Sequence, residues 1–209
     1  MALMDEVDAR LKPLLIATGW KRRGRDIFTR PTAPDFEAWF ALNWATKYRP
    51  YQIYPQGGAR CVSAERLATT LSDQPNRRYT IATVSRPVYV ILGLPEVLKL
   101  LVDGPQDVEE VAIAAAALAN SVVVPFSVEL SDYQAMLNRL ETGDTNMPSN
   151  GVEKRMVCLS LVSGQIDRGV ALAHQFIDAT GDGDHPAYVE TREFMTKALA
   201  YAEELRSRG

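Results

Sequence analysis

Between Phe36 and Tyr48, apolar side chains return at every second position. Phe36, Ala38, Phe40, Leu42, Trp44 and Tyr48 fall on one side, with Glu37, Asn43 and Lys47 on the other. A period of two marks an extended strand, because successive side chains of a pleated chain point to opposite faces. The stretch commits the first half of the chain to an antiparallel sheet with one buried face. Trp39 falls on the polar side, where a fully solvated face has no use for an indole. That face is therefore either covered by a loop or helix, or it is a contact surface.

The neighbouring segments build around this strand. Leu3, Val7, Leu11, Leu14 and Leu15 form the stripe of an amphipathic helix that Gly19 stops. A basic turn around Gly24 leads into a short strand closed by Pro31 and Pro34. Tyr51 to Tyr54 reads as a further strand broken by Gly57-Gly58, and Tyr79 to Ser85 and Val88 to Leu92 as two more around Pro87. From Leu94 the pattern turns helical. Short and long helices are expected over Pro95 to Val102 and Gln106 to Asn120, and Pro125 marks a break. Ser131 and Gln134, at capping-box spacing, begin a helix carrying Tyr133, Met136, Leu137 and Leu140. Three more helices follow, over Val152 to Val162, Ile166 to Ile177 and Ala187 to Arg206. The pair around Gly164 resembles one tetratricopeptide unit, but no second copy exists, so a repeat array is excluded.

The expected fold is α+β: an N-terminal helix, an antiparallel sheet of about four to five strands, and an all-helical C-terminal half packed on it. With 209 residues the chain suits a single domain. Any two-lobed variant would divide into helix plus sheet over 1–92 and helices over 93–209, with Glu141 to Gly151 as the clearest loop.

Cys61 and Cys158 are the only cysteines and lie far apart in sequence, which suits neither a disulfide framework nor a thiolate metal site and points to a reducing compartment. The opening Met-Ala-Leu-Met-Asp-Glu-Val-Asp carries acids where a signal peptide needs a basic end. The uncharged run from Val111 to Val128 holds Asn120, Ser121 and Pro125 and is rich in alanine, so it reads as a buried helix rather than a membrane span. A cytoplasmic protein without a membrane partner is expected.

Marked chemistries are missing. His174 and His185 are not at helical ligand spacing, and the run from Asp178 to His185 only imitates a calcium loop: with Asp178 first, Thr180 would stand third and Val189 twelfth. No nucleophile elbow, phosphate loop or dinucleotide fingerprint occurs. Glu109 and Glu110 are adjacent and diverge on a helix. No catalytic or metal-binding residue is singled out, and no cofactor is expected.

What stands out is charge beside aromatics. Residues 1–90 hold 14 Lys or Arg against 8 Asp or Glu, whereas residues 91–209 hold 9 against 18. Lys21, Arg22, Arg23, Arg25 and Arg30 lie with Trp20 and Phe28, and Trp39, Lys47, Arg49, Arg77, Arg78 and Arg86 extend the group. Such a cluster grips phosphates and stacks bases, docks an acidic protein surface, or simply pairs with the acidic second half. With a net charge of −3 and no base-reading motif, nucleic acid is the weakest of the three.

Gly19-Trp20 followed by Lys21-Arg22-Arg23-Gly24-Arg25-Asp26-Ile27-Phe28-Thr29-Arg30 resembles the Gly-Phe-basic-basic-Gly-Arg-x-Phe-x-Arg opening of a widespread bacterial family of small cytosolic domains of unknown function. Trp20 stands where that family more often has Phe. Val124-Pro125-Phe126 and the helix with Ala171 and Ala173 after Gly164 are similar to its later landmarks. The resemblance implies the same α+β fold and brings no activity. Members include small proteins that look like immunity or accessory factors of bacterial conflict systems.

The expected function is thus a non-catalytic cytosolic protein-binding module, docking an acidic partner through Lys21, Arg22, Arg23, Arg25, Arg30, Trp39 and Lys47. The competing expectation is a small-ligand binder or enzyme with its site in a cleft between sheet and helices.

Overall fold

The first helix shows how the sequence sets the frame. In the computed structural model, which describes residues 3–72, 81–145, 149–181 and 183–208, α1 spans Leu3–Ala17 and buries Leu3, Val7, Leu11 and Leu15. Its first turn carries Asp5 and Glu6, where acids complement the helix dipole. The helix ends in a Schellman motif: the Gly19 N–H donates to Ile16 O at 3.0 Å and the Trp20 N–H to Leu15 O at 3.1 Å. Gly19 takes the left-handed conformation this requires, at φ +88°. The motif also brings Trp20 and Leu15 into the same core.

The chain then builds the sheet. Strands β1 (Lys21–Arg22), β2 (Ile27–Ala33), β3 (Phe36–Ala45), β4 (Tyr51–Cys61) and β5 (Val84–Pro87) are neighbours in that order, and β6 (Leu100–Val102) also pairs with β4. Antiparallel register sets Phe28 opposite Phe40 and Thr29 opposite Trp39. Pro31 does not end β2; a register shift between Pro31 and Ala33 absorbs it. Nor is β3 half-solvated, for Phe36 to Leu42 is buried on both faces, Glu37 and Trp39 included. The expectation of a covered second face therefore stands for Trp39.

Gly57-Gly58 does not break β4, which runs through both. The reason is approach distance: a Cβ on Gly57 would lie 2.7 Å from Val123 Cγ2 and 2.8 Å from Ile91 Cδ1. Glycine lets the neighbouring helices come this close. Of the strand expected over Tyr79 to Ser85, Tyr79 and Thr80 lie outside the described residues, Ile81 to Thr83 are not strand, and only Val84 and Ser85 fall in β5. Val88 to Leu92 is not a strand but a single helical turn, α3 (Val88–Ile91). Pro95 to Val102 is not a helix; its end forms β6.

Beyond β6, a 3₁₀ turn at Pro105–Asp107, α4 (Val108–Leu118), a π-helical turn at Ala119–Val123 and α5 (Val124–Glu129) follow one another without a break. Pro125 sits in the first turn of α5, just after the π turn, where its missing N–H costs least. By length and composition this run could cross a membrane. In the structure it is the core helix of the sheet: Val108, Val111, Ala112, Ala115, Ala116, Ala119 and Val123 join α1, Phe28, Phe40 and Ile53 in one apolar cluster. Ser131 does not cap the next helix. Asp132 does, accepting from the Gln134 and Ala135 N–H groups, while the Ser131 hydroxyl turns back to Ser127 O and Thr32.

The remaining elements are α2 (Val62–Leu71), α6 (Tyr133–Glu141), α7 (Ser149–Val162), α8 (Ile166–Thr180) and α9 (Pro186–Arg208). In α7 every residue from Lys154 to Leu161 is buried, and Gly169 of α8 meets it so closely that a Cβ would fall 2.7 Å from Leu161 Cδ2. The fold is α+β. It separates into two compact units: unit 1 comprises Met1–Arg60 and Ser85–Ser131, and unit 2 comprises Cys61–Val84 and Asp132–Gly209. The chain thus changes unit three times, rather than once at 92/93.

Candidate functional site

The charge asymmetry of the sequence halves dissolves when the residues are assigned to units. Unit 1 holds 12 basic and 12 acidic residues, and unit 2 holds 11 and 14. The basic turn is neutralised locally, because α1 supplies its counter-charges. Arg22 pairs with Asp8 at 3.0 Å and Arg25 with Asp5 at 2.6 Å. Arg22 also closes the turn around Gly24, donating to Gly24 O at 2.8 Å and to Arg25 O at 2.9 Å.

The seven expected binding residues do not form one patch. Arg30 points to the core side, where it and the Trp20 indole both donate to Asn120 Oδ1, at 3.2 and 3.1 Å. Arg23 and Trp39 do share a face, the second face of the sheet. There Arg23 donates to Thr29 Oγ1 at 3.0 Å and to Glu37 Oε1 at 3.1 Å, and Arg60 donates to Glu37 Oε2 at 3.1 Å. Trp39 is buried beside them, its indole N–H without a hydrogen-bond partner among the described residues. Lys21 is exposed on β1, and Lys47 is exposed near the β3–β4 turn, its ammonium 5.2 Å from the centre of the Tyr48 ring. Arg77 and Arg78 lie outside the described residues. Trp44 donates to Asp26 at 3.2 Å; burial raises the Asp26 carboxyl above its ordinary range, partly offset by that bond.

Both cysteines are buried. Burial, reinforced by the Glu65 carboxylate, pushes the Cys158 thiol far up, so it stays protonated. Around it lies a buried network in unit 2: Glu65 accepts from Arg155 at 2.8 and 3.1 Å and from Thr83 Oγ1 at 3.0 Å, and Thr83 Oγ1 accepts the Cys61 N–H at 2.9 Å. Among the described residues, no three His, Cys, Asp or Glu side chains converge as a metal site.

The surface the sequence reading missed runs from Leu92 to Leu101. Gly93 closes α3 in a second Schellman motif, with Gly93 N–H to Val90 O at 3.0 Å and Leu94 N–H to Tyr89 O at 2.9 Å. Pro95 and Glu96 then form a bend, and 97–99 run without regular structure into β6. Leu92, Leu94, Val97 and Leu101 remain 43 to 51% exposed, and Tyr48, three residues before β4 begins, is 72% exposed. These are five of the nine large apolar residues exposed among those described. A hollow of about 320 Å³ lies alongside, lined by Tyr54, Pro55, Tyr89, Val97 and Leu98. The reading of Pro95 to Val102 as a short helix hid this stretch; the signal against it was the pair of breakers, Gly93 and Pro95, close together. Compared with family models, curated proteins and solved structures, the chain matches none.

Proposed function

We propose that this chain is a non-catalytic, cytoplasmic protein-binding module whose docking edge is β6 and the run from Leu92 to Leu101. The observation that carries the reading is the concentration of exposed apolar side chains along that run, beside a strand whose only strand neighbour among the described residues is β4. An exposed strand edge offers unpaired backbone groups, and an extended partner segment satisfies them while its alternate side chains meet the apolar strip. Lys47 and Arg49, exposed at one end of the strip, favour acidic residues at the matching end of the partner. The arginines of the Gly24 turn are engaged within the chain, which argues against nucleic acid as the ligand. An immunity-like or accessory role rests on the resemblance of residues 19–30 alone.

The test is an array of extended peptides alternating valine or leucine with aspartate, read against the same peptides carrying lysine. Acidic peptides should bind, and Val97→Asp with Leu101→Asp should weaken them at least tenfold, while Arg22→Ala leaves them unchanged. Equal binding of acidic and basic peptides, or none, would overturn the reading. So would a self-dimer lost in the same double variant, which would make a second copy the occupant.

A further inference from the structure

Within unit 2, α6, α7 and α8 meet around a hollow of about 560 Å³. Its volume lies in the range of small-ligand pockets. Leu140 from α6, Met156 from α7, and Leu172 and Phe176 from α8 give it an apolar wall. These positions follow helical spacing: Val152, Glu153 and Met156 share one side of α7, and Leu172, Gln175 and Phe176 one side of α8. Leu140 and Met156 are buried at the floor of the hollow, and Leu172 and Phe176, half-buried, form its accessible apolar side.

One acid breaks the apolar wall. Glu153 is half-buried there and makes no hydrogen bond or ion pair among the described residues. Its sequence neighbour Lys154 is committed elsewhere, to Glu190 at 2.6 Å, with its ammonium 5.3 Å from the centre of the Phe194 ring. Burial raises the Glu153 carboxyl above its ordinary range, and Lys154 offsets this only in part. Glu141, at the rim of the same hollow, is by contrast paired with Arg168. A carboxylate that has lost water with only a partial counter-charge is a cost to the folded chain, and a cation delivered by a ligand removes that cost. An anionic ligand would meet repulsion, and a neutral one would leave the carboxylate uncompensated.

We propose that this hollow binds a small organic cation, an ammonium group paired with Glu153 and a short alkyl or aryl body lying on Leu140, Met156, Leu172 and Phe176. The site is independent of the docking edge in unit 1.

Calorimetric titration of the full chain with butylammonium and octylammonium, alongside octanoate and octanol, tests it. Octylammonium should bind more tightly than butylammonium, since the longer chain covers more of the wall, and octanoate should not bind. Glu153→Gln should weaken octylammonium at least tenfold, and Glu203→Gln, an exposed change on α9, should leave it unchanged. Affinity should also fall as the pH drops through the raised Glu153 value, because protonation removes the counter-charge. Glu153→Gln is isosteric and removes a desolvated charge, so its unfolding midpoint at neutral pH should be no lower than that of the parent, which separates lost binding from lost folding. Octanol or octanoate binding as tightly as octylammonium would overturn the proposal, as would an unaffected Glu153→Gln variant or no binding at millimolar ligand. A basic amphipathic peptide binding where octylammonium does not would also overturn it, making the hollow a groove for a protein helix.

Discussion

Glu65 carries the buried charge of unit 2. Its carboxylate takes two bonds from Arg155 and one from Thr83, and the side chains of Glu65 and Arg155 are only 7% and 10% exposed. Removing the acid alone strands the guanidinium, whose remaining bond goes to Gly151 O. Glu65→Leu should therefore cost about 3–5 kcal/mol in urea unfolding. Adding Arg155→Met should restore most of that, because an apolar pair avoids the desolvation that the ion pair must offset. A single-variant loss well under about 1 kcal/mol would show that Arg155 reaches water and that the network matters little. Residue identities of this kind are legible in a sequence, but their partners are not. Arg25 meets Asp5, twenty positions back, and Arg30 meets Asn120, ninety positions on. A list of basic residues looks like a patch until the fold assigns each one its acceptor. Arg23 and Trp39, grouped from sequence as binding residues, do come together, but inside a buried face.

At the scale of elements, the strands and helices with a clear period were legible, and those shaped by a neighbour were not. The alternation from Phe36 to Trp44 becomes β3 and the Leu3–Leu15 stripe becomes α1, since both patterns report which side is buried. Val88 to Ile91 is β-branched and aromatic yet helical, because a four-residue turn is decided by its surroundings rather than by propensity. The π turn at Ala119–Val123 is the least visible element and has a defined task. It carries Asn120, whose side-chain oxygen accepts both Trp20 and Arg30 while its amide donates to Ala116 O at 2.8 Å. Asn120→Leu would orphan two donors, one on an almost fully buried indole, and should cost about 1–3 kcal/mol. Trp20→Phe removes one of those donors, so the double variant should lose less than the sum of the singles. Strict additivity in chemical denaturation would show that the indole N–H finds another acceptor.

The order of the chain through the whole molecule is harder to foresee, because nothing local announces that a segment will join a unit formed mostly elsewhere. Unit 2 is discontinuous: its helices α6 to α9 follow Asp132, but α2 comes from far upstream and packs on α7. The upstream piece also brings Glu65, the carboxylate that pairs with Arg155, together with Thr83, which donates to it, and Cys61, whose N–H donates to Thr83. A fragment of residues 132–209 therefore keeps Arg155 and loses its counter-charge, leaving only the bond to Gly151 O, along with the apolar cover that Ala64, Leu67 and Leu71 supply. Such a fragment should be helical by circular dichroism yet lack a cooperative thermal transition, the behaviour of secondary structure without fixed packing. If the stranded charge is the main cause, Arg155→Met within the fragment should recover part of the cooperativity; if lost apolar cover dominates, it should not. A fragment that melts cooperatively near the midpoint of the full chain would show that α6 to α9 fold without α2, and that the interleaving of the chain is an accident of connection rather than a condition of stability.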